Sequence, residues 1–155
     1  MNISYKWLKE YVDFNLTPEE VAEALTSIGL EVGAVEEVQS VKGGLKGIVI
    51  GQVLTCEEHP NSDHLHVTTV DEGNGQDPVQ IVCGAPNVDK GQKIMLALPG
   101  AVLPGGTIKK AKVRGVESNG MICSLAELGL ESKYVPEKYA AGIYVLDDDA
   151  PLGVN

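Results

Sequence analysis

The feature that most constrains this chain is a change of hydrophobic period close to residue 43. Before it, apolar residues recur at helical spacing. After it, they alternate along short runs divided by Gly, Pro, Asn and Asp. A chain of 155 residues patterned in this way reads as two unlike segments.

In the first segment, Ser4 is placed to cap a helix with Trp7, Leu8, Tyr11 and Val12 on one face, and Ile3 and Leu8 are spaced as a hydrophobic staple. Thr17-Pro18-Glu19-Glu20 is a stronger start signal, with a capping threonine, proline at the first helical position and glutamate at the third. Val21, Ala24, Leu25 and Ile28 then form a stripe that Gly29 ends, and Leu30 to Val38 reads as a strand. These stripes have nothing to pack on within 39 residues, so we expect residues 1–39 to be the first half of a split α/β domain.

Lys42-Gly43-Gly44 reads as a joint. Beyond it, strands are expected at Ile48–Leu54, Leu65–Val70, Val79–Cys83 and Ile94–Leu98. A fifth β region runs through Ile108–Val113 and Gly120–Ser124, followed by one helical turn over 125–130 and a last strand at Gly142–Leu146. Five short strands with little helix suit a small closed barrel better than a sandwich. The expected class is mainly β with an α/β appendage: a five-stranded barrel over 40–151, preceded by a helix-helix-strand half-domain. Residues 152–155 would begin the missing half, as though the chain were cut in mid-domain.

Several functions are disfavoured. No apolar run approaches the roughly 20 residues of a membrane span, so the expected location is cytoplasmic, with no membrane partner. Cys56, Cys83 and Cys123 form no CxxC pair. Cys56, His59, His64 and His66 fall within eleven residues and invite a zinc reading, but their spacing is not that of paired zinc ligands. A buried thiol among surface histidines explains them better. No nucleophile elbow, phosphate loop or HExxH is present, and no catalytic residue is assigned.

The formal charge of −10 argues against a nucleic-acid partner until its distribution is read. Lys90, Lys93, Lys109, Lys110, Lys112 and Arg114 occur in a stretch without one acid. A solvated face accounts for such a run as readily as a binding face. If Ile108–Arg114 is extended, however, Lys110, Lys112 and Arg114 project together at roughly 6–7 Å intervals, close to the phosphate spacing of a nucleic-acid strand. Stacking aromatics are missing from the strands, which favours a folded RNA over a flexible one, or no RNA at all.

His59-Pro60-Asn61-Ser62-Asp63-His64-Leu65 resembles the His-Pro-Asn-Ala-Asp-Lys-Leu signature of the tRNA-binding OB-fold domain family. Val82-Cys83-Gly84-Ala85-Pro86-Asn87-Val88, the stretch Gly91–Gly106 and Arg114-Gly115-Val116-Glu117-Ser118-Asn119-Gly120-Met121 follow in that family's order. The opening, from Ser4-Tyr5-Lys6-Trp7-Leu8 to Gly29-Leu30-Glu31-Val32, resembles that of the bacterial phenylalanyl-tRNA synthetase beta-subunit family.

The resemblance implies an OB-fold barrel that serves as an auxiliary tRNA-binding module. The parent ligase would use ATP and magnesium to attach phenylalanine to its tRNA, with an alpha subunit in an α2β2 assembly, while this piece carries neither catalysis nor cofactor. The RNA candidates are Lys110, Lys112, Arg114 and His64, the last standing where the family has lysine, with Ser118 and Asn119 as hydrogen-bonding partners of the RNA backbone. The alternative is a scaffold domain of the beta subunit without independent RNA binding.

Overall fold

The computed structural model describes residues 1–39 and 44–155, so the expected joint, Gly44 apart, lies outside the described residues. The chain divides into two compact units, Met1–Val38 and Gln39–Asn155.

The first unit has two helices, α1 (Tyr5–Leu8) and α2 (Pro18–Ser27). Ser4 caps α1, its Oγ accepting from the Trp7 amide at 3.3 Å. At α2 the capping box forms in full: Thr17 Oγ1 accepts the Glu20 amide at 3.2 Å, and Glu20 Oε2 accepts the Thr17 amide at 2.7 Å. Gly29 stops the helix with a φ of +92°. The expected strand over Leu30–Val38 does not form. A strand needs a partner for its backbone groups, and this unit offers none; the Val32 amide instead donates to Thr26 Oγ1 at 3.1 Å. No residue of this unit is buried, and Trp7, Tyr11 and Ile28 are exposed.

The second unit contains β1 (Ile48–Glu58), β2 (His66–Asp71), β3 (Val79–Cys83), β4 (Lys93–Ala97), β5 (Val102–Leu103), β6 (Gly106–Thr107), β7 (Ala111–Val113), β8 (Val116–Ser118), β9 (Met121–Ile122) and β10 (Val145–Leu146). The main sheet has the order β10-β4-β1-β2-β3, with β9 also on β4, and every pairing is antiparallel. β1 pairs with both β4 and β2 at Gln52, and a register irregularity in the β1–β2 ladder follows at once, between Val53 and Thr55. A bulge at such a place bends the strand and lets one strand serve two walls.

The fifth wall is a broken strand, β7 to β9, fastened to β3 largely by side chains. Gln80 O accepts the Asn119 amide at 2.9 Å, and Gln80 Nε2 donates to Glu117 O at 2.8 Å. The result is a nearly closed five-stranded barrel. Val53, Val70, Ile81, Ile94 and Leu96 meet inside it at 0% exposure, each burial contributing about 1.5–3 kcal/mol.

A second apolar cluster, including Ile48, Leu103, Cys123 and Leu128, lies under the β5–β6 hairpin and the turn at 125–130. That turn is capped by Ser124, whose amide donates to Glu127 Oε2 at 2.7 Å and whose Oγ accepts the Glu127 amide at 3.2 Å. The last residues run back along β1: the Gly153 amide donates to Ile50 O at 2.8 Å, and the Ile50 amide to Val154 O at 3.0 Å.

Candidate nucleic-acid interface

The loop that follows β1 and the β7–β8 hairpin meet at one rim of the barrel. Val113 pairs with Val116, which leaves Arg114 and Gly115 as a two-residue hairpin loop. Their φ values of 49° and 90° are those of a type I′ turn, which needs both central residues left-handed. Glycine adopts this freely, whereas arginine pays about 1–2 kcal/mol of steric strain.

Arg114 therefore leaves the strand alternation expected of it and turns toward the β1–β2 loop. Its Nη1 donates to Asn61 O at 3.2 Å, and Asn61 Nδ2 donates to Arg114 O at 3.3 Å. Lys112 is exposed and sits across the ladder from Glu117, with Lys109 and Lys110 exposed just before it. Among the described residues the ion pairs are His64 with Asp63 at 3.0 Å and Lys133 with Glu131 at 2.7 Å, so none involves these four cations. His64 is solvent-exposed beside Asp63; its hydrogen bond holds the Asp63 carboxyl below the usual range, and the Arg114 charge lowers it further.

The basic run does not act as a unit. Lys93 lies on β4, and its Nζ donates to Ala150 O at 2.5 Å, tying down the C-terminal segment. Only 109–114 forms a continuous cationic arm.

Ser118, expected among the RNA partners, is buried at 6% exposure. Its Oγ accepts the Val82 amide at 3.1 Å and donates to Gly120 O at 3.1 Å, so the hydroxyl closes the barrel and faces no ligand. Ser118→Ala should leave that half-buried amide without its side-chain partner and cost about 1 kcal/mol or more in a denaturant melt, while tRNA affinity stays at the native value. Asn119 is half-buried beside it and fastens the hairpin to β3 through its backbone.

Among the described residues no group of three or more His, Cys, Asp or Glu is placed to hold a metal, and both ring nitrogens of His59 are engaged within the protein. Burial pushes Cys123 up to about 12 and raises Cys83 and Cys56 as well, leaving neutral sulfhydryls.

The residue that sequence reasoning missed as a hydrogen-bonding member of the rim is His59, which the sequence offers as a possible metal ligand and as the head of the His-Pro-Asn signature. Its signal was local: an acceptor side chain two residues before an amide in a Pro-Asn turn.

A small antiparallel barrel with a cationic arm beside its first loop, free of ion pairs among the described residues, has the character of a nucleic-acid-binding barrel. Residues 48–155 match the family described as "Putative tRNA binding domain", and the chain belongs to that family. It is 63% identical over 99% of its length to the phenylalanine–tRNA ligase beta subunit of Bacteroides thetaiotaomicron, and 57% identical over its whole length to that of Geobacillus kaustophilus. The match spans 18% and 19% of those relatives, so the chain corresponds to about a fifth of their length.

Among solved structures, a methionyl-tRNA synthetase-related protein from Pyrococcus horikoshii superposes with a TM-score of 0.52 at 23% identity. The superposition covers 77% of this chain and 97% of that one, a likeness of fold. Among the described residues no helix is long and apolar enough to cross a membrane.

Proposed function

We propose that this chain is a tRNA-binding module of a phenylalanine–tRNA ligase beta subunit, and that it holds tRNA along the rim where the β1–β2 loop meets the β7–β8 hairpin. The observation that carries this reading is the cationic arm 109–114, free of ion pairs among the described residues, whose tip is hydrogen-bonded to the loop bearing the His-Pro-Asn signature. Lys110, Lys112, Arg114 and His64 supply phosphate contacts, and Asn119 a hydrogen bond to the RNA backbone. The parent enzyme supplies the chemistry: ATP- and magnesium-dependent attachment of phenylalanine, in the cytoplasm, by an assembly of this subunit with an alpha subunit in an α2β2 form. On this reading the chain gives that enzyme a surface for RNA and no reacting group.

The deciding variant is Arg114→Asn. Asn-Gly is a preferred pair for a type I′ turn, so the substitution relieves the strain at φ 49° and should leave the melting temperature at or slightly above the native value. Affinity for labelled tRNA at low salt should nevertheless fall about fivefold, because one phosphate contact is lost. A native chain that fails to bind tRNA under those conditions would leave only the scaffold reading.

A further inference from the structure

His59 is the most buried polar side chain of the rim, at 3% exposure, one residue past the end of β1. Its Nδ1 lies 3.0 Å from the Asn61 amide, which can only donate, so Nδ1 is the unprotonated nitrogen. The proton is therefore on Nε2, which donates to Val113 O at 3.0 Å across 54 residues of sequence. One imidazole in one tautomer closes the turn of the loop and grips the last residue of β7, immediately before Arg114.

The hairpin is held unevenly. On the β8 side, Ser118, Asn119 and Gln80 fasten it to β3. On the side of β7 and the tip, which carries Lys112 and Arg114, the hydrogen bonds to the rest of the barrel among the described residues run to His59 and Asn61. Strands of three residues joined by a two-residue loop do not hold their own geometry in water. Without His59 the cations would remain present but lose their fixed span.

We propose that His59 is a positioning residue that presets the cationic arm for a folded RNA. The proposal rests on the reading of the rim as the tRNA-binding surface. A folded RNA presents phosphates at set positions and cannot follow a wandering strand, so ordering the arm on binding falls as a cost on the complex. A flexible single strand adapts to wherever the cations lie, and its binding depends on their number alone. His59 thus governs preference between two RNAs of equal charge.

The test uses the full chain, folded tRNA and an oligouridylate of the same length, titrated at one low salt concentration, with thermal melts alongside. In His59→Asn a side-chain oxygen replaces Nδ1 on the Asn61 amide and the reach to Val113 is lost. In His59→Gln an amide N–H takes the place of Nε2 on Val113 O. His59→Asn should weaken tRNA binding about tenfold and oligouridylate binding less than twofold, and His59→Gln should restore most of the tRNA affinity. Placed on Arg114→Asn, His59→Asn should add about two- to threefold instead of tenfold, since the tip it positions is already gone and Lys112 alone still depends on it. Equal losses on both RNAs, additive losses in the double variant, or native tRNA affinity in His59→Asn would each overturn the proposal while leaving the rim as the binding surface. A native chain that binds neither RNA refutes the underlying reading and the proposal with it.

Discussion

Alanine at Lys110, Lys112 and Arg114 together should weaken tRNA binding on the order of 50-fold at 50 mM salt and remove most of its salt dependence. Each phosphate neutralised releases counterions, giving log K against log salt a slope of about −0.7 to −0.9 per contact. Three contacts therefore predict roughly −2 to −3, and raising salt from 50 to 200 mM should loosen the native complex about 20- to 40-fold. The triple variant, left with His64 and distant cations, should lose only a few fold over the same interval. The net charge of −10 sharpens the contrast, because an acidic protein stripped of its one basic arm repels a polyanion at every approach. None of the three side chains is buried, so the melt should barely move. Parallel salt curves for the native and substituted chains would show that the arm does not meet RNA.

A large effect on stability is expected at Gly120, at the barrel's seam. Its φ is +142°, which a residue with a Cβ avoids, and a Cβ there would stand 2.7 Å from Ala97 O and 3.3 Å from Ile81 Cδ1. The first neighbour is backbone of β4, in the pair Ala97–Met121 that fixes β9, and the second is core. Neither can yield without opening the seam that Ser118 closes. Gly120→Ala should cost about 3 kcal/mol or more, lowering the melting temperature by roughly 10–20 °C in a domain of this size. Gly91→Ala is the control: its φ is +86° but nothing lies within 4 Å, so only strain is added, about 1 kcal/mol. If the two variants melt together, the close approach at Gly120 does not matter and strain alone sets the cost.

The long runs were readable because their period is long enough to count. β3 has the expected bounds, Val79–Cys83, and α2 begins at the Thr17 cap with its capping box complete. The β5–β6 hairpin has no counterpart among the expected strands, because two-residue strands carry no period. Two side chains were misread for one reason, that each depends on a partner distant in sequence. Ser118 faces inward because the Val82 amide, 36 residues earlier, needs its oxygen. Lys93 drops out of the basic run because Ala150, 57 residues on, takes its ammonium. Arg114 leaves its strand because a two-residue loop demands left-handed backbone there, and nothing in an Arg-Gly pair announces that demand as Asn-Gly would. The extended run expected over 108–114 forms only at Ala111–Val113: residues 108–110 lie outside any strand, 109–112 are exposed on both faces, and the strand ends at the bend.

The return of the last residues along β1 has an architectural consequence. Gly153 and Val154 bracket Ile50, and Asn155 Nδ2 donates to Leu45 O at 2.7 Å. The two ends of the barrel thus arrive at one point, like the stem of a fruit. A polypeptide leaving and re-entering there could bear or discard the whole barrel while its own course stayed almost unbroken, so grafting it onto an unrelated host would ask only for two neighbouring attachment points.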